Sequence, residues 1–490
     1  MKHFITLLTA LALATLPALR AAEAKSATPN IIVILVDDMG YGDIGPFGSK
    51  LNRTPNLDRM AAEGMKLTSF YCAPLCTASR SQLMTGCYSK RVNMPDVLFP
   101  SSAIGLSHAE KTIAELLKPQ GYATMCIGKW HLGDQPEFLP TRRGFDHYVG
   151  LPYSNDMGGE KKIDKGRPPL PLLKDDKVVE APAVQNMLTA RYTDEAVNFI
   201  TTNKDRPFFL YMPHTAVHAP HNPGLQFKGK SANGIYGDWV EEVDWSVGRV
   251  LGTLRELKLE SNTLVLFTSD NGGIAKAASN APLRGHKGTT WEGGMREPSI
   301  AWWPGKIAPG AACDAVMSEL DVLPTVVKLA GGTVPTDRKI DGLDIWPLLS
   351  GQSKESPHQA LYYFHAHVLE AVRSGPWKLS IAAQAEGKGK NGNKGAISPV
   401  PSPPTMPRLY NLDSDIGESM DVAAQHPDVV TRLQALITRM DGDLGIAKDG
   451  KGTSAPGIRP AGHVDNPKPL LIQSTAGGIS GAAIIAMEYD

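Results

Sequence analysis

The chain has 490 residues with 50 basic and 50 acidic side chains, so its formal net charge is zero. This balance gives no support for nucleic-acid binding, which needs a basic surface. Five cysteines in a chain of this length cannot build a disulfide framework, and their odd number leaves at least one thiol unpaired. The length suits one large α/β domain with a smaller appendage.

The first 24 residues have the pattern of a secretory signal. A lysine near the start is followed by an apolar stretch from Phe4 to Leu19 and by the small-residue exit Ala22-Glu23-Ala24. We therefore expect an exported protein, periplasmic or secreted, whose mature chain begins at Lys25. No later apolar run is long enough to span a bilayer, so no membrane span is expected in the mature chain.

Strand and helix patterns alternate from residue 30 to residue 268. The β-branched run at 30–36 is typical of a central strand that is buried on both faces. Thr54, as N-cap, and Pro55 mark the start of a helix that ends at Gly64. Further strands are predicted at 65–71, 122–127, 207–212 and 263–268, and further helices at 112–118, 189–202 and 236–257. This alternation predicts an α/β fold.

A different pattern begins near residue 359. Short strands predicted at 360–364, 370–373 and 377–380 precede an amphipathic helix at 427–440, which is typical of a small antiparallel α+β subdomain. Residues 385–407 are rich in Gly, Lys and Asn and then in Pro, and they predict a mobile loop. The predicted organisation is a signal peptide at 1–24, a large α/β domain at 25–358, a C-terminal subdomain at 359–445 and a loosely ordered tail at 446–490.

Carboxylates follow two of the predicted strands directly. Asp37 and Asp38 come after the strand at 30–36, and two like charges at a sheet end repel unless a cation lies beside them. Asp270 and Asn271 follow the strand at 263–268 and add two more oxygen groups. An all-oxygen set suits Ca²⁺ or Mg²⁺ better than zinc. The alternative for Asp270 and Asn271 is a simple turn, because Asn271-Gly272-Gly273 is also good turn chemistry.

Cys76 is the candidate nucleophile, in the run Pro74-Leu75-Cys76-Thr77-Ala78-Ser79-Arg80-Ser81-Gln82-Leu83-Met84-Thr85-Gly86. Most free cysteines are small, buried and inert, and that is the alternative here. The Ser/Thr-rich stretch favours a helix start at Cys76, and Gly86 would close the helix. A helix N-terminus beside Arg80 would form an anion pocket. We expect Cys76 at a surface-facing helix start.

Three more segments carry candidate side chains. Lys129 and His131 follow the strand at 122–127, and extended geometry would place both on one side. His218 is one of three histidines at 214–221 and could be an acid or a capped loop histidine. Lys287 lies in a Gly-rich loop where a solvated lysine is the default interpretation. Together these groups predict a site for an anionic tetrahedral group, and both phosphate and sulfate esters fit.

The chain resembles the sulfatase family of the alkaline-phosphatase-like superfamily, most closely the branch of arylsulfatase A and N-acetylgalactosamine-6-sulfatase. The resemblance covers about residues 29–445 and depends on the cysteine run and on Gly121-Tyr122-Ala123-Thr124-Met125-Cys126-Ile127-Gly128-Lys129-Trp130-His131. It implies a large mixed, mostly parallel central sheet flanked by helices, with a smaller C-terminal antiparallel subdomain. It also implies hydrolysis of a sulfated small molecule or glycan.

The resemblance further implies that a formylglycine-generating maturation enzyme oxidises Cys76 to formylglycine, whose hydrated aldehyde is the nucleophile. Ala78 stands where most family members have proline. One Ca²⁺ would be held by residue 76 with Asp37, Asp38, Asp270 and Asn271. By similarity, the remaining site residues stabilise the nucleophile, bind sulfate or protonate the leaving oxygen: Arg80, Lys129, His131, Ser154, His218 and Lys287.

Three functions remain open at this point. The first is a secreted sulfatase for aryl sulfates or sulfated carbohydrates. The second is a phosphomonoester or phosphonate hydrolase on the same scaffold. The third is a catalytically silent anion-binding protein, which would follow if Cys76 stays a thiol. Substrate choice is expected to lie in loops such as 150–184 and the insert before Leu409.

Overall fold

A computed structural model describes residues 28–158, 166–382, 384, 407–446 and 454–472. The predicted signal peptide and the predicted loop at 385–407, except Pro407, lie outside these residues, so export and the loop stay predictions. In the part of the chain that the structure describes, no helix combines the length and apolar character that a bilayer crossing requires.

The described residues form nine α-helices and 17 β-strands, besides short 3₁₀ turns. The helices are α1 Pro55–Glu63, α2 Cys76–Thr85, α3 Ile113–Leu117, α4 Leu188–Thr202, α5 Gly234–Glu256, α6 Glu292–Met295, α7 Val322–Leu329, α8 Trp346–Leu349 and α9 Pro427–Leu444. The strands are β1 Asn30–Val36, β2 Met65–Tyr71, β3 Ile104–Gly105, β4 Ala123–Ile127, β5 His147–Gly150, β6 Leu172–Lys174, β7 Lys177–Glu180, β8 Phe208–Pro213, β9 Thr263–Ser269, β10 Arg296–Trp302, β11 Ala311–Cys313, β12 Met317–Ser318, β13 Leu361–His365, β14 Val368–Ser374, β15 Trp377–Ser380, β16 Arg408–Asn411 and β17 Gly462–His463.

The large sheet has the strand order β11-β2-β10-β9-β1-β8-β4-β5-β6-β7, with β12 also paired to β2. The pairs at its centre, from β9 through β1, β8 and β4 to β5, are all parallel, whereas β10, β6 and β7 pair antiparallel with their neighbours. Strands β13 to β16 form a separate antiparallel sheet. The predicted fold class, a mixed and mostly parallel sheet with a smaller antiparallel subdomain, is confirmed.

β1 lies at the centre of the sheet, and both of its faces are buried. Ile31, Val33 and Leu35 enter the core that contains residues of α2, α3 and α7. Ile32, Ile34 and Val36 enter the core that contains residues of α1, α4 and α5. Each fully buried side chain of this size contributes about 1.5–3 kcal/mol of burial free energy. The strand that carries Asp37 and Asp38 at its end is therefore rigidly placed.

The predicted elements agree with the observed ones to within a few residues, with two kinds of error. Thr54 precedes α1, but its side chain makes no capping hydrogen bond there; its hydroxyl accepts from Gly45 N at 2.8 Å instead. The sequence analysis also missed several elements, among them β5, β6, β7, α7 and β10. β10 begins Arg296-Glu297-Pro298 and is nevertheless buried along its whole length. Charge and proline at its start concealed the strand pattern.

The segment 454–472, part of the tail predicted at 446–490, contacts the large domain at several points. Arg459 donates to Glu110 at 2.6 and 2.8 Å. β17 pairs antiparallel with β3, and Lys468 N donates to Gln135 Oε1 at 2.8 Å. These partners lie more than 300 residues away in the sequence, so no local pattern revealed them.

His358 makes a buried ion pair that should make stability depend on pH. Its Nε2 lies 2.7 Å from Asp321 Oδ1, and the two side chains are 5% and 0% exposed. Burial alone would lower the pKa of His358, but the Asp321 carboxylate raises it above the ordinary 6.5. Because the folded pKa is the higher one, the stabilisation is complete below the unfolded pKa and is lost as pH rises through the folded pKa.

We therefore expect His358→Gln to lower the apparent Tm most at pH 5, by the equivalent of about 1.5–3 kcal/mol, and progressively less towards pH 9. Scanning calorimetry at a fixed heating rate measures this gap. His463→Gln is the matched control, because that side chain is 61% exposed. A gap that is constant across the pH range would contradict the assignment.

Candidate active site

The candidate site lies at the carboxyl ends of four neighbouring strands. β1 is paired in parallel with β9 on one side and with β8 on the other, and β8 is paired with β4. The segments that follow these strands therefore meet at one sheet edge, where ligands bind in open α/β sheets. Asp38, directly after β1, has a φ of 65°. This strained conformation in a non-glycine residue is typical of a functional position.

The acid groups form a cluster that fits a hard divalent cation. One ligand atom from each of Asp37, Asp38, Cys76 and His218 lies within 4.8 Å of the others. Asn271 Nδ2 donates to Asp38 Oδ1 at 2.7 Å, whereas Asn271 Oδ1 is buried and has no partner among the described residues. A buried, unpaired carbonyl oxygen beside two carboxylates is a donor set for Ca²⁺ or Mg²⁺.

Asp270 lies against Arg80 rather than in that four-residue group. Arg80 Nη2 and Nε approach Asp270 Oδ2 at 2.8 and 3.1 Å, and Asp38 N donates to Asp270 Oδ1 at 3.3 Å. Burial, together with Asp37, raises the pKa of Asp270 to about 6, although Arg80 opposes the shift. A role for Asp270 as a metal ligand stays a prediction.

Cys76 is the first residue of α2, as predicted, and Gly86 ends the helix in the left-handed conformation with a φ of 67°. The helix start is not surface-facing, which corrects our expectation: Cys76 is only 2% exposed and every residue of α2 is buried. Backbone packing against the rest of the domain covers it, which sequence alone could not reveal. All five cysteines are free.

Three cations surround residue 76 and its carboxylates. Lys287 Nζ lies 3.3 Å from Cys76 Sγ and 2.5 Å from Asp38 Oδ1, so Lys287 is not the solvated lysine of the default interpretation. Lys129 Nζ pairs with Asp37. Arg80 Nη2 lies 3.4 Å from Asp37 Oδ2, and its Nη1 donates to Lys129 O. These contacts connect Asp37 and Asp38 to the three segments that carry Arg80, Lys129 and Lys287.

The charges set the protonation of the groups between them. Burial would raise the pKa of Asp37, but Lys129 and the other cations hold it well below its ordinary value, so Asp37 is ionised. Burial and the Asp37 carboxylate raise the pKa of Cys76 to about 12. The Cys76 thiol is therefore protonated at neutral pH and is a poor nucleophile in its own right.

Lys129 and His131 follow β4, but not in extended geometry, which corrects that prediction. Gly128 has a φ of 127°, and a Cβ there would lie 1.8 Å from Pro213 O. His131 has a φ of 60°. Its Nε2 lies 2.9 Å from Leu98 O, which can only accept, so Nε2 carries the proton and the buried Nδ1 has a free lone pair. Burial and Lys129 lower the pKa of His131, so the ring is neutral.

His218 is fixed by residues that follow β5. Its Nδ1 lies 2.7 Å from Ala219 O and 3.1 Å from Asn155 Oδ1, so we assign the proton to Nδ1. Ser154 Oγ lies 3.3 Å from the same ring, and Nε2 lies 3.7 Å from Asp38 Oδ2. Burial and Lys287 lower the pKa of His218 to about 3. The sequence analysis missed Asn155, although it directly follows Ser154.

The model of the family described as sulfatase matches residues 29–332, and a second model, described as the C-terminal region of aryl-sulfatase, matches residues 356–460. Arylsulfatase A of Homo sapiens is 39% identical over 453 residues, with 86% of this chain and 89% of that protein covered. The chain belongs to the sulfatase family. It is a sulfuric ester hydrolase, as the resemblance implied. N-acetylgalactosamine-6-sulfatase of Mus musculus is 42% identical over 386 residues, covering 74% of this chain and 73% of that protein.

Solved structures agree with this membership. The PsFucS1 sulfatase from Pseudoalteromonas sp. superimposes with a TM-score of 0.75 at 30% identity, covering 86% of this chain and 92% of that one. A phosphonate monoester hydrolase of Agrobacterium radiobacter superimposes with a TM-score of 0.58 at 18% identity, covering 84% of this chain and 95% of that one. This second likeness shows a common fold alone.

Asn155→Ala should lower kcat/KM for an aryl sulfate by about tenfold, because it removes one of the two acceptors that orient the His218 ring. Steady-state kinetics on 4-nitrophenyl sulfate measure the change. Asn222→Ala is the matched control: its amide donates to the same two acceptors as that of Asn155, Pro220 O and Gln185 Oε1, but among the contacts the structure gives it has none with the His218 ring. Equal losses in both variants would contradict a positioning role for Asn155.

Proposed function

We propose that the chain is a calcium-dependent sulfatase whose nucleophile is formylglycine derived from Cys76, acting on aryl sulfates or sulfated carbohydrates. The main support is the contact of the Lys287 ammonium with Cys76 Sγ at 3.3 Å, inside a cluster of three cations and three carboxylates. A protonated, buried thiol at the centre of such a site has little catalytic use as it stands. An oxidised residue 76 would supply a hydroxyl nucleophile there.

Calcium fits the donor set described above. Asp37, Asp38, Asp270 and Asn271 would hold it with residue 76, and a bound calcium would polarise a sulfate oxygen. The unpaired Asn271 Oδ1 is the strongest support for a cation at this edge of the sheet.

The side chains around the cluster can bind the sulfate group, stabilise the nucleophile and transfer protons. Lys287, whose pKa Asp38 raises against the effect of burial, stays charged and can bind sulfate. Arg80 and Lys129 can stabilise the nucleophile, and the free Nδ1 of His131 can accept a proton from it. Ser154 and His218 lie together, where Ser154 can donate to a sulfate oxygen.

His218 is neutral in the free protein, so its part as an acid needs the substrate. An anion bound beside the ring raises the pKa of a histidine, because it favours the charged form. His218 is therefore expected to take up, from solvent as the sulfate ester binds, the proton that it would pass to the leaving oxygen. Lys287, which is already charged, is the other donor within the site.

The nature of the substrate is proposed only at the level of its class. One relative is named arylsulfatase A, and a structural neighbour, Ps i-CgsB, was solved with k-i-k-neocarrahexaose. That neighbour is 31% identical, with a TM-score of 0.72. Both substrate classes share the sulfate group that the cations would bind, so the site residues do not separate them. A formylglycine-generating enzyme is the proposed maturation partner.

Conversion of Cys76 should be visible in the tryptic peptide 67–80, which contains Cys72 as an internal reference. In protein made beside a formylglycine-generating enzyme, we expect this peptide to be about 18 Da lighter than the unmodified one, the thiol-to-aldehyde change. Iodoacetamide should then label one thiol in the peptide instead of two. Activity on 4-nitrophenyl sulfate should rise in proportion to the converted fraction.

Two comparisons complete this experiment. Cys76→Ala should lose turnover by at least about a thousandfold, as expected when a nucleophile is removed, whereas Cys313→Ala should keep it. An unmodified thiol in active protein would contradict the mechanism. Faster turnover of 4-nitrophenyl phosphate than of the sulfate would favour a phosphoester hydrolase, and sulfate binding without turnover would favour a silent binding protein.

Removal of calcium should lower activity by more than about tenfold, since a metal's stabilisation of transition-state charge is worth several kcal/mol. Prolonged dialysis against EGTA followed by kinetics measures the loss, and added Ca²⁺ should restore it. Elemental analysis before dialysis should find one calcium per chain, and dialysis should lower the apparent Tm. Full activity in protein shown to be calcium-free would contradict the assignment.

A further inference from the structure

Lys287 belongs to a loop between β9 and α6, so its position depends on what holds that loop. Within the catalytic part of the chain, Lys287 N donates to Gly273 O at 3.2 Å and Gly288 N donates to Pro74 O at 2.9 Å. Two of the following residues, Thr290 and Glu292, also make polar contacts with the C-terminal subdomain. Those contacts begin three residues after Lys287.

Lys378, in β15, is the centre of these contacts. Its side chain is fully buried. The ammonium donates to Thr290 O at 2.8 Å and to Glu292 Oε1 at 3.0 Å, and it lies 2.7 Å from Glu418 Oε1. Two of these contacts are hydrogen bonds, and the third is a buried ion pair. The loop that carries Lys287 is thus fixed by a cation from a different sheet.

Other groups of the same subdomain hold the same end of the loop. Gln384 Nε2 also donates to Thr290 O, at 2.8 Å. Thr290 Oγ1 donates to Glu370 Oε2 at 2.5 Å, and Glu292 N donates to Glu418 Oε2 at 2.7 Å. The backbone and side chain of Thr290 are therefore both held from the C-terminal subdomain.

Glu292 also connects this anchor to the nucleophile side of the site. Tyr71, the last residue of β2, donates to Glu292 Oε2 at 2.5 Å, and Tyr363 donates to Oε1 at 2.9 Å. β2 leads directly into the segment that contains Cys76. The Lys287 loop and the segment after β2 are therefore in contact at two places. One is the contact of Lys287 Nζ with Cys76 Sγ, and the other is at Glu292, which Tyr71 and Lys378 both contact.

A purely stabilising role would not require these charges. Buried ion pairs gain little over apolar residues of the same volume, because desolvation offsets their attraction. Buried polar networks do impose one geometry, since every donor and acceptor must be satisfied. The Lys378 network therefore contributes more to the placement of the loop than to stability.

We propose that Lys378 is a positioning residue, through which the C-terminal subdomain sets the place of the Lys287 ammonium at the sulfate site. This inference depends on the proposed role of Lys287 in sulfate binding. Lys378 itself has no contact with Asp38 or Cys76 among those the structure gives, so it acts through the loop.

Lys378→Met and the double variant Lys378→Met/Glu418→Gln, both in the converted full-length protein, test the proposal. Each should weaken binding of inorganic sulfate, measured by isothermal titration calorimetry, by about tenfold, because small misplacements of a binding group have large effects. KM for 4-nitrophenyl sulfate should rise by the same factor, with a smaller change in kcat, because an interaction already made with the bound substrate is lost. All assays are run well below the Tm of each variant.

Arg91→Met is the matched control. Arg91 is also a buried cation that joins the catalytic part to the C-terminal subdomain, through Asp443 at 2.8 Å. It also pairs with Asp341 of the catalytic part at 2.7 Å, but among the contacts the structure gives it has none with the Lys287 loop. It should lower the Tm without changing the sulfate Kd or KM. Lys378→Met leaves two buried carboxylates without their lysine, so if it fails to fold, the double variant with Glu418→Gln, which removes one of those charges, decides.

Unchanged sulfate affinity and KM in the folded Lys378 variants, or equal changes in Arg91→Met, would overturn the proposal. The proposed function is tested separately by the unsubstituted protein. If that protein neither binds sulfate nor hydrolyses the aryl sulfate, both fail. If it does both and the variants behave like the control, only the role of Lys378 fails.

Discussion

Burial of three carboxylates at the carboxyl ends of β1 and β9 is the constraint on which the rest of the site depends. Asp37, Asp38 and Asp270 are essentially inaccessible to solvent, so their mutual repulsion is weakly screened. Arg80, Lys129 and Lys287 are brought in from three other segments to balance them. The fold must therefore hold six charged groups from five chain segments at one point, and the packed central sheet supplies the rigidity for this.

The same balance explains why residue 76 suits modification. Burial and the Asp37 carboxylate keep its thiol protonated, although Lys129 and Lys287 favour the thiolate, so the thiol is a poor nucleophile at this point. Under the proposed function, a hydroxyl nucleophile derived from residue 76 would replace it. The family membership and the local electrostatics both support that proposal.

Much of the fold and most of the candidate site residues could be predicted from the sequence. Buried parallel strands align their carboxyl ends, and local patterns reveal helix starts such as the one at Cys76. The left-handed backbone at His131 and the burial of Cys76 could not be predicted, since both follow from packing by distant segments. The default interpretation of Lys287 as solvated failed for the same reason. Lys378 and Glu292 are 86 residues apart, and no local pattern indicates that they meet.

The complete burial of α2 has a consequence for the order of events in the cell. An enzyme that modifies Cys76 needs the peptide in an accessible form, and the folded protein offers only 2% of that residue to solvent. Under the proposed function, modification would therefore precede the packing of α2 against the sheet. A chain that folded first would keep its thiol, so the relative rates of folding and oxidation would set the active fraction. A substitution that speeds folding would then lower specific activity without changing the site.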